Sequence, residues 1–199
     1  LEQLSADAAG AGIQSLCRGA FSMMGYRILA ACGLVCAATG CFLVRKSFVI
    51  PELPTAREQY EVAYDSYRKA QGILVHTKEK DRTVEEAKAA FRLVEERFPD
   101  DPVYTPRAQL MLGRSELIRQ EYKKAARYYR AATEKYPDNK EVQAIGLYEM
   151  GVALDEAKQH AAAKEAFRQF IERFADERDA EIQQRLSEAR KRYRMIRVD

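Results

Sequence analysis

The sequence predicts an all-α solenoid of stacked helical hairpins, and three observations carry that reading. Phe98-Pro99-Asp100 returns as Tyr136-Pro137-Asp138 and again as Phe174-Ala175-Asp176, each time 38 residues further on. The register extends through the unit: Ala87, Ala125 and Ala163 correspond, as do Phe91, Tyr129 and Phe167, then Arg92, Arg130 and Arg168, while Gly113 matches Gly151. Apolar residues also recur at spacings of three and four, the period of a helix face. Repetition of this kind is expected of helix pairs that bury their apolar stripes only against neighbouring copies.

Composition narrows the class. A chain of 199 residues has room for one domain and an appendage. Lys and Arg total 33 against 30 Asp and Glu, but residues beyond 50 carry 29 basic and 28 acidic groups. A near-balanced domain has no general attraction for nucleic acid.

Residues 1–27 read as an amino-terminal tail and 28–50 as a transmembrane anchor or signal segment. Ile28 to Val44 is a run of 17 residues without a charge, which at ~1.5 Å per helical residue lies at the lower edge of a membrane span. Arg27 and Arg45-Lys46 flank it too evenly to set topology. Three readings stay open: a single-pass anchor, a cleaved signal with Met23-Met24-Gly25-Tyr26-Arg27 as its basic start, and a buried soluble helix. Cys17, Cys32, Cys36 and Cys41 all precede residue 50, so none staples the repeats. Leu29-Ala30-Ala31-Cys32 and Ala38-Thr39-Gly40-Cys41 resemble the lipobox of bacterial lipoproteins, which makes Cys41 and Cys32 candidate lipidation points. Pro51-Glu52-Leu53-Pro54 then breaks any continuous helix, and a helical domain is placed at 55–199.

The first unit, about 55–100, opens with Tyr60, Tyr64, Tyr67 and Leu74 on one broad face, read as ring packing between helices, with a peptide-binding face as the alternative. His76 to Lys80 reads as a polar connector. Thr83 with Glu86 has the form of a capping box opening the next helix, which carries Ala87, Phe91 and Val94 and stops near Pro99. The second unit, 104–137, pairs a helix from Pro106 to Gln120 with one from Tyr122 to Tyr136. Leu110, Leu112 and Gly113 face inward on the first, and Ala125, Tyr129 and Ala132 on the second. Small residues at Gly113 and Ala125 let the axes approach, a role that must offset the roughly 1 kcal/mol of helix propensity lost at a glycine. Pro137 terminates the pair. The third unit, 139–175, repeats the arrangement with Gly151, Ala163, Phe167 and Phe170. A last helix at 178–197, with Ile182, Leu186, Ala189, Tyr193 and Ile196 on one side, caps the open end.

Leu112-Gly113, Ala125, Tyr129, Ala132 and Pro137 fall at the small, aromatic and terminator positions of the tetratricopeptide repeat consensus, and Gly151, Ala163 and Phe167 repeat the match. The array therefore resembles tetratricopeptide repeats. That resemblance implies a right-handed solenoid of helical hairpins, with the first helix of each pair lining a protein-binding side. The 38-residue period and the FPD and YPD endings resemble the tetratricopeptide domains of bacterial envelope proteins. The types concerned are the outer-membrane assembly lipoprotein BamD and the periplasmic division coordinator CpoB.

No catalytic, cofactor or metal site is expected. His76 and His160 are the only histidines and fall in separate connectors, whereas a helical metal site wants paired ligands at i and i+4. Ser66, Ser115 and Ser187 have no adjacent histidine to activate them. The expected role is a non-enzymatic, membrane-associated adaptor binding protein partners in the bacterial cell envelope, with its helical domain on the periplasmic side. Gln109, Arg114, Glu116 and Glu149, taken as outward groups of the first helices, are the candidate contacts. Arg190 and Arg194 join them from a basic cluster that also holds Arg185, Lys191, Arg192 and Arg197. That cluster reads as a solvated face, with an acidic protein or anionic lipid as its other reading. The alternative role is a self-assembling envelope component that forms homo-oligomers through the apolar face of its last helix.

Overall fold

A computed structural model describes residues 49–197. Cys32, Cys41 and the uncharged run Ile28 to Val44 lie outside the described residues. Among those described there are seven helices and no strand: α1 (Ala56–Gly72), α2 (Lys78–Arg97), α3 (Tyr104–Ile118), α4 (Tyr122–Lys135), α5 (Lys140–Glu156), α6 (His160–Arg173) and α7 (Ala180–Met195). None of them is long and apolar enough to cross a membrane.

Local chemistry sets their ends. Thr55 caps α1 by accepting from Glu58 N at 3.2 Å, Asn139 caps α5 by accepting from Val142 N at 3.0 Å, and Asp179 caps α7 by accepting from Glu181 N and Ile182 N. Each satisfies an amide that the first helical turn leaves without a partner. Helices α3 and α5 end in the same way, 38 residues apart. Gln120 and Lys158 take φ of 59° and 61°, and the amides of Glu121 and Gln159 reach back to the carbonyls of Glu116 and Leu154. This is a Schellman ending built without glycine.

Helix α2 departs from the sequence reading. Thr83 and Glu86 do not open it; Thr77 does, with its hydroxyl accepting from Lys80 N at 3.2 Å. Lys78 to Arg82 are adequate helix formers and extend the helix backwards. The Thr83 hydroxyl then sits within the helix and donates to the Glu79 carbonyl at 2.8 Å. With the longer α2 the connector falls at 73–77, and Leu74 stands 93% exposed in it instead of on the core stripe.

Each helix packs on the next, and the buried stripe follows the repeat. Ala87, Ala125 and Ala163 are fully buried, as are Phe91, Tyr129 and Phe167 and then Val94, Ala132 and Phe170. A buried aromatic of this kind stabilises by about 1.5–3 kcal/mol, so the three copies form the principal seam. The buried residues make two clusters that meet at α3, which gives Leu110 to one and Ala108, Met111 and Leu112 to the other.

Neighbouring hairpins are latched by buried polar side chains at equivalent positions. Thr105 donates from Oγ1 to the Phe98 carbonyl, and Gln143 donates from Nε2 to the Tyr136 carbonyl at 3.0 Å and to Thr133 O at 2.7 Å. Ahead of α1, buried Gln59 does similar work on the incoming strap, accepting from Leu53 N at 2.9 Å and donating to Pro51 O at 3.1 Å.

Helix α7 closes the far end against α6 and α5. Leu186 and Ala189 are fully buried there, with Ile182 and Ile196 nearly so. The apolar face proposed for pairing with a second copy is therefore already covered within the chain.

Candidate functional site: a groove along the odd-numbered helices

The backbones of α1, α3, α5 and α7 approach one another in succession, whereas α2 and α4 meet only through long side chains, Arg92 with Tyr128 at 3.1 Å and Lys135 with Glu95 at 3.8 Å. A double row whose backbones lie closer in one set curves toward that set, so the odd-numbered helices form the inner side. Their sequence provides for it: α3 and α5 are apolar on more than one side, since they meet the previous pair, their own partner and the following pair. Close approach is enforced where a side chain would intrude. A β-carbon on Gly113 would stand 2.8 Å from the Tyr129 ring, one on Gly151 2.7 Å from Phe167, and one on Gly146 2.6 Å from Thr133 Cγ2.

On the inner side, α1 supplies a ladder of rings. Tyr60 and Tyr64 stack at 6.1 Å between centroids, Tyr64 and Tyr67 at 5.9 Å, and Tyr60 reaches Tyr104 of α3 at 5.6 Å. The core stripe of α1 itself runs through Ala56, Gln59, Ala63 and Ala70, so Tyr60 and Tyr64 are flank residues and Tyr64 remains 40% exposed. Two adjoining clefts share Tyr64 and Arg114. One, about 540 Å³, runs between α1 and α3 past Tyr67, Gln71 and Glu149; the other, about 270 Å³, runs past Tyr60, Arg107, Glu141 and Ile145.

Ion pairs cross the groove from helix to helix. Arg107 clasps Glu141 with two bonds at 3.0 and 2.9 Å, and Arg114 stands 3.9 Å from Glu149. Beneath them lies the Tyr129 hydroxyl, buried without a hydrogen-bond partner among the described residues. Burial pushes its proton affinity well above the ordinary phenol value, against the pull of Arg114. Burial likewise raises Tyr60 to about 12, opposed by Arg107 and Arg114. The groove thus presents a neutral phenol at Tyr60, a clasped Arg107–Glu141 pair and a looser Arg114–Glu149 pair at 3.9 Å, the last suited to exchanging hydrogen bonds with a polypeptide laid across it.

The candidate contacts separate here. Arg114 and Glu149 lie together on the groove, with Arg114 shared by both clefts. Gln109 is half-buried with its Oε1 unpartnered. Glu116 does not face outward: it is 2% exposed and holds the buried Lys88 ammonium of α2 at 2.6 Å. The helix turn that carries it faces the preceding hairpin, which is where Lys88 needs a counter-charge. Arg190 and Arg194 are exposed on α7, away from this pair. Sequence alone leaves the groove tyrosines between core packing and a peptide-binding face, because a spacing of four and three suits both. Arg107 with Glu141, 34 residues apart, has no local signal. His76 faces Asp81 and His160 faces Asp155, in different hairpins, and no group of three metal-ligating side chains occurs among the described residues.

Comparison with known proteins addresses the middle of the array. No curated protein matches the chain. A family profile described as tetratricopeptide repeat matches residues 107–139 and 146–176, about a third of the sequence. These stretches cover most of α3 with α4 and most of α5 with α6, so the two central hairpins are supported as tetratricopeptide repeats by sequence as well as by packing, and repeats of that kind imply a scaffold for protein–protein interaction.

Proposed function

We propose that this chain is a non-enzymatic adaptor of the bacterial cell envelope, seating a segment of a partner protein in the groove of α1, α3 and α5. The observation that carries the reading is the contact row of odd-numbered helices, with its tyrosine ladder and its Arg107–Glu141 and Arg114–Glu149 pairs. The uncharged run Ile28 to Val44, with candidate lipidation at Cys32 or Cys41, supports attachment to a membrane. The FPD and YPD endings support kinship with the periplasmic and outer-membrane types named above. Attachment would raise the adaptor's concentration beside envelope partners.

Photo-crosslinkers placed in cells at Tyr64 and Ile145, on the groove, and at Arg130, on α4, test the binding face. Adducts with one protein from the groove positions and none from Arg130 are expected. Adducts from Arg130 alone would remove the groove reading. Mass spectrometry of the amino terminus tests the attachment: an intact segment or an acylated cysteine supports it, and a plain cleaved terminus refutes it.

A further inference from the structure

The last helix carries a second surface, separate from the groove and independent of the reading just given. Ile182, Leu186 and Ala189 turn one side of α7 into the core. Arg190, Lys191 and Arg194 are left exposed on the other side, with Arg197 exposed just past the helix end. Some basic side chains are tied down, Arg107 to Glu141, Arg168 to Glu165 and Glu172, Arg185 to Glu181, and others such as Lys123, Arg127 and Arg130 on α4 are exposed without an ion pair among the described residues; what sets α7 apart is how closely its free cations follow one another. Arg190, Lys191, Arg194 and Arg197 have no ion pair or hydrogen bond among the described residues.

No acidic residue occurs from Ala189 to Arg197. Lys191 and Arg197 also rim a cleft of about 770 Å³ whose two acids are Asp155 and Glu188. Arg192 holds both acids, at 3.3 and 3.1 Å, which leaves them one net negative charge against the two cations of the rim. Met195 stands among the cations with 69% of its surface exposed.

We propose that this stripe is a docking site for the anionic headgroups of a phospholipid surface. Arg190, Lys191 and Arg194 span about 6 Å of helix at ~1.5 Å per residue, Arg197 follows just past its end, and clusters of four or more cations are drawn to acidic leaflets. These four share the exposed side of α7 and the residues that follow it, where a planar surface can approach. The exposed methionine between the charges suits a headgroup surface, which offers an apolar interior just beneath its anionic layer. Each cation beside an anionic surface contributes about fivefold in partitioning, so removing three weakens it on the order of a hundredfold.

The chain has no tryptophan, so Met195→Trp places a single fluorescent reporter in the stripe of the full-length protein. This reporter reads contact by the stripe itself, whatever the amino-terminal segment does. Blue-shifted emission is expected with vesicles of phosphatidylcholine containing phosphatidylglycerol, not with phosphatidylcholine alone, and added salt should reverse it. Arg190→Gln, Lys191→Gln and Arg194→Gln together, in the same background, should shift the lipid titration by on the order of a hundredfold. Their helical circular dichroism should be unchanged, because the side chains are exposed. Arg190→Lys with Arg194→Lys should keep the response, since a headgroup surface reads charge and not the guanidinium fork. An equal shift with neutral vesicles, no shift with either, or no effect of the triple substitution would overturn the proposal. So would a shift with soluble polyglutamate and none with vesicles, which would assign the stripe to an acidic protein.

Discussion

A single methyl group tests the hairpin seam at the residue scale. Gly113 and Gly151 each leave room for one ring, and neither ring can withdraw, because Tyr129 and Phe167 are fully buried. Gly113→Ala and Gly151→Ala should each lower stability by about 1–3 kcal/mol, in spite of the roughly 1 kcal/mol that alanine gains in helix propensity. Gly72, where an added β-carbon would meet nothing within 4 Å, is the control. Gly72→Ala should leave urea unfolding unchanged or slightly more resistant; equal losses at all three sites would contradict the close-approach argument. The two seam glycines are legible in the sequence because they interrupt a helix pattern at matching places. Gly146 is not, since its counterparts at 38 residues are Ala108 and Gln184. Thr105 and Gln143 share the latch to the preceding hairpin but not a residue type, so comparing copies does not reveal them.

Whole elements are more legible than their margins. Helices α3 to α7 begin and end within about two residues of the limits set by caps, prolines and periodicity. The first hairpin does not, because helix-forming residues at 78–82 lengthen α2 at the expense of its connector. That lengthened helix holds the buried pair of the array. Lys88 binds Glu116 of α3 at 2.6 Å and Glu85 at 3.1 Å, with only 7% of its side chain exposed. Hydrogen bonds to the two carboxylates keep its proton affinity above the ordinary lysine value although burial pulls the other way. Breaking such a pair strands a charge, whereas replacing both partners with apolar groups does not. Lys88→Met alone should cost about 3–5 kcal/mol, and Lys88→Met with Glu116→Leu should recover most of it. A double variant as unstable as the single, measured by chemical denaturation, would deny the pairing. Glu116 is hidden from sequence reasoning because a glutamate on a helix is usually solvated, and its partner lies 28 positions away.

Across the whole molecule, the buried phenols and Lys88 make the fold sensitive to alkali. Tyr60, Tyr129 and Lys88 hold their protons to higher pH when folded than unfolded. Their contribution is complete below about pH 10 and is lost as pH rises through the folded values, about 12 for Tyr60. Tyrosinate absorbance should therefore rise together with loss of helix as the chain is titrated upward. Full ionisation near pH 10 with the helices intact would contradict the burial. The groove itself is only half legible: stacking of hairpins follows from the repeat, but which tyrosines flank the core depends on how far α1 is rotated against α2. The affinity of the partner captured from Tyr64 is the most direct test of the central claim, that the inner row of helices is the binding face. Tyr64→Ala and Arg114→Ala should each weaken it tenfold or more, about 1.4 kcal/mol, while Arg130→Ala and Glu134→Ala on α4 leave it unchanged. Loss of affinity from the α4 substitutions with the groove substitutions silent would place binding on the opposite side of the array.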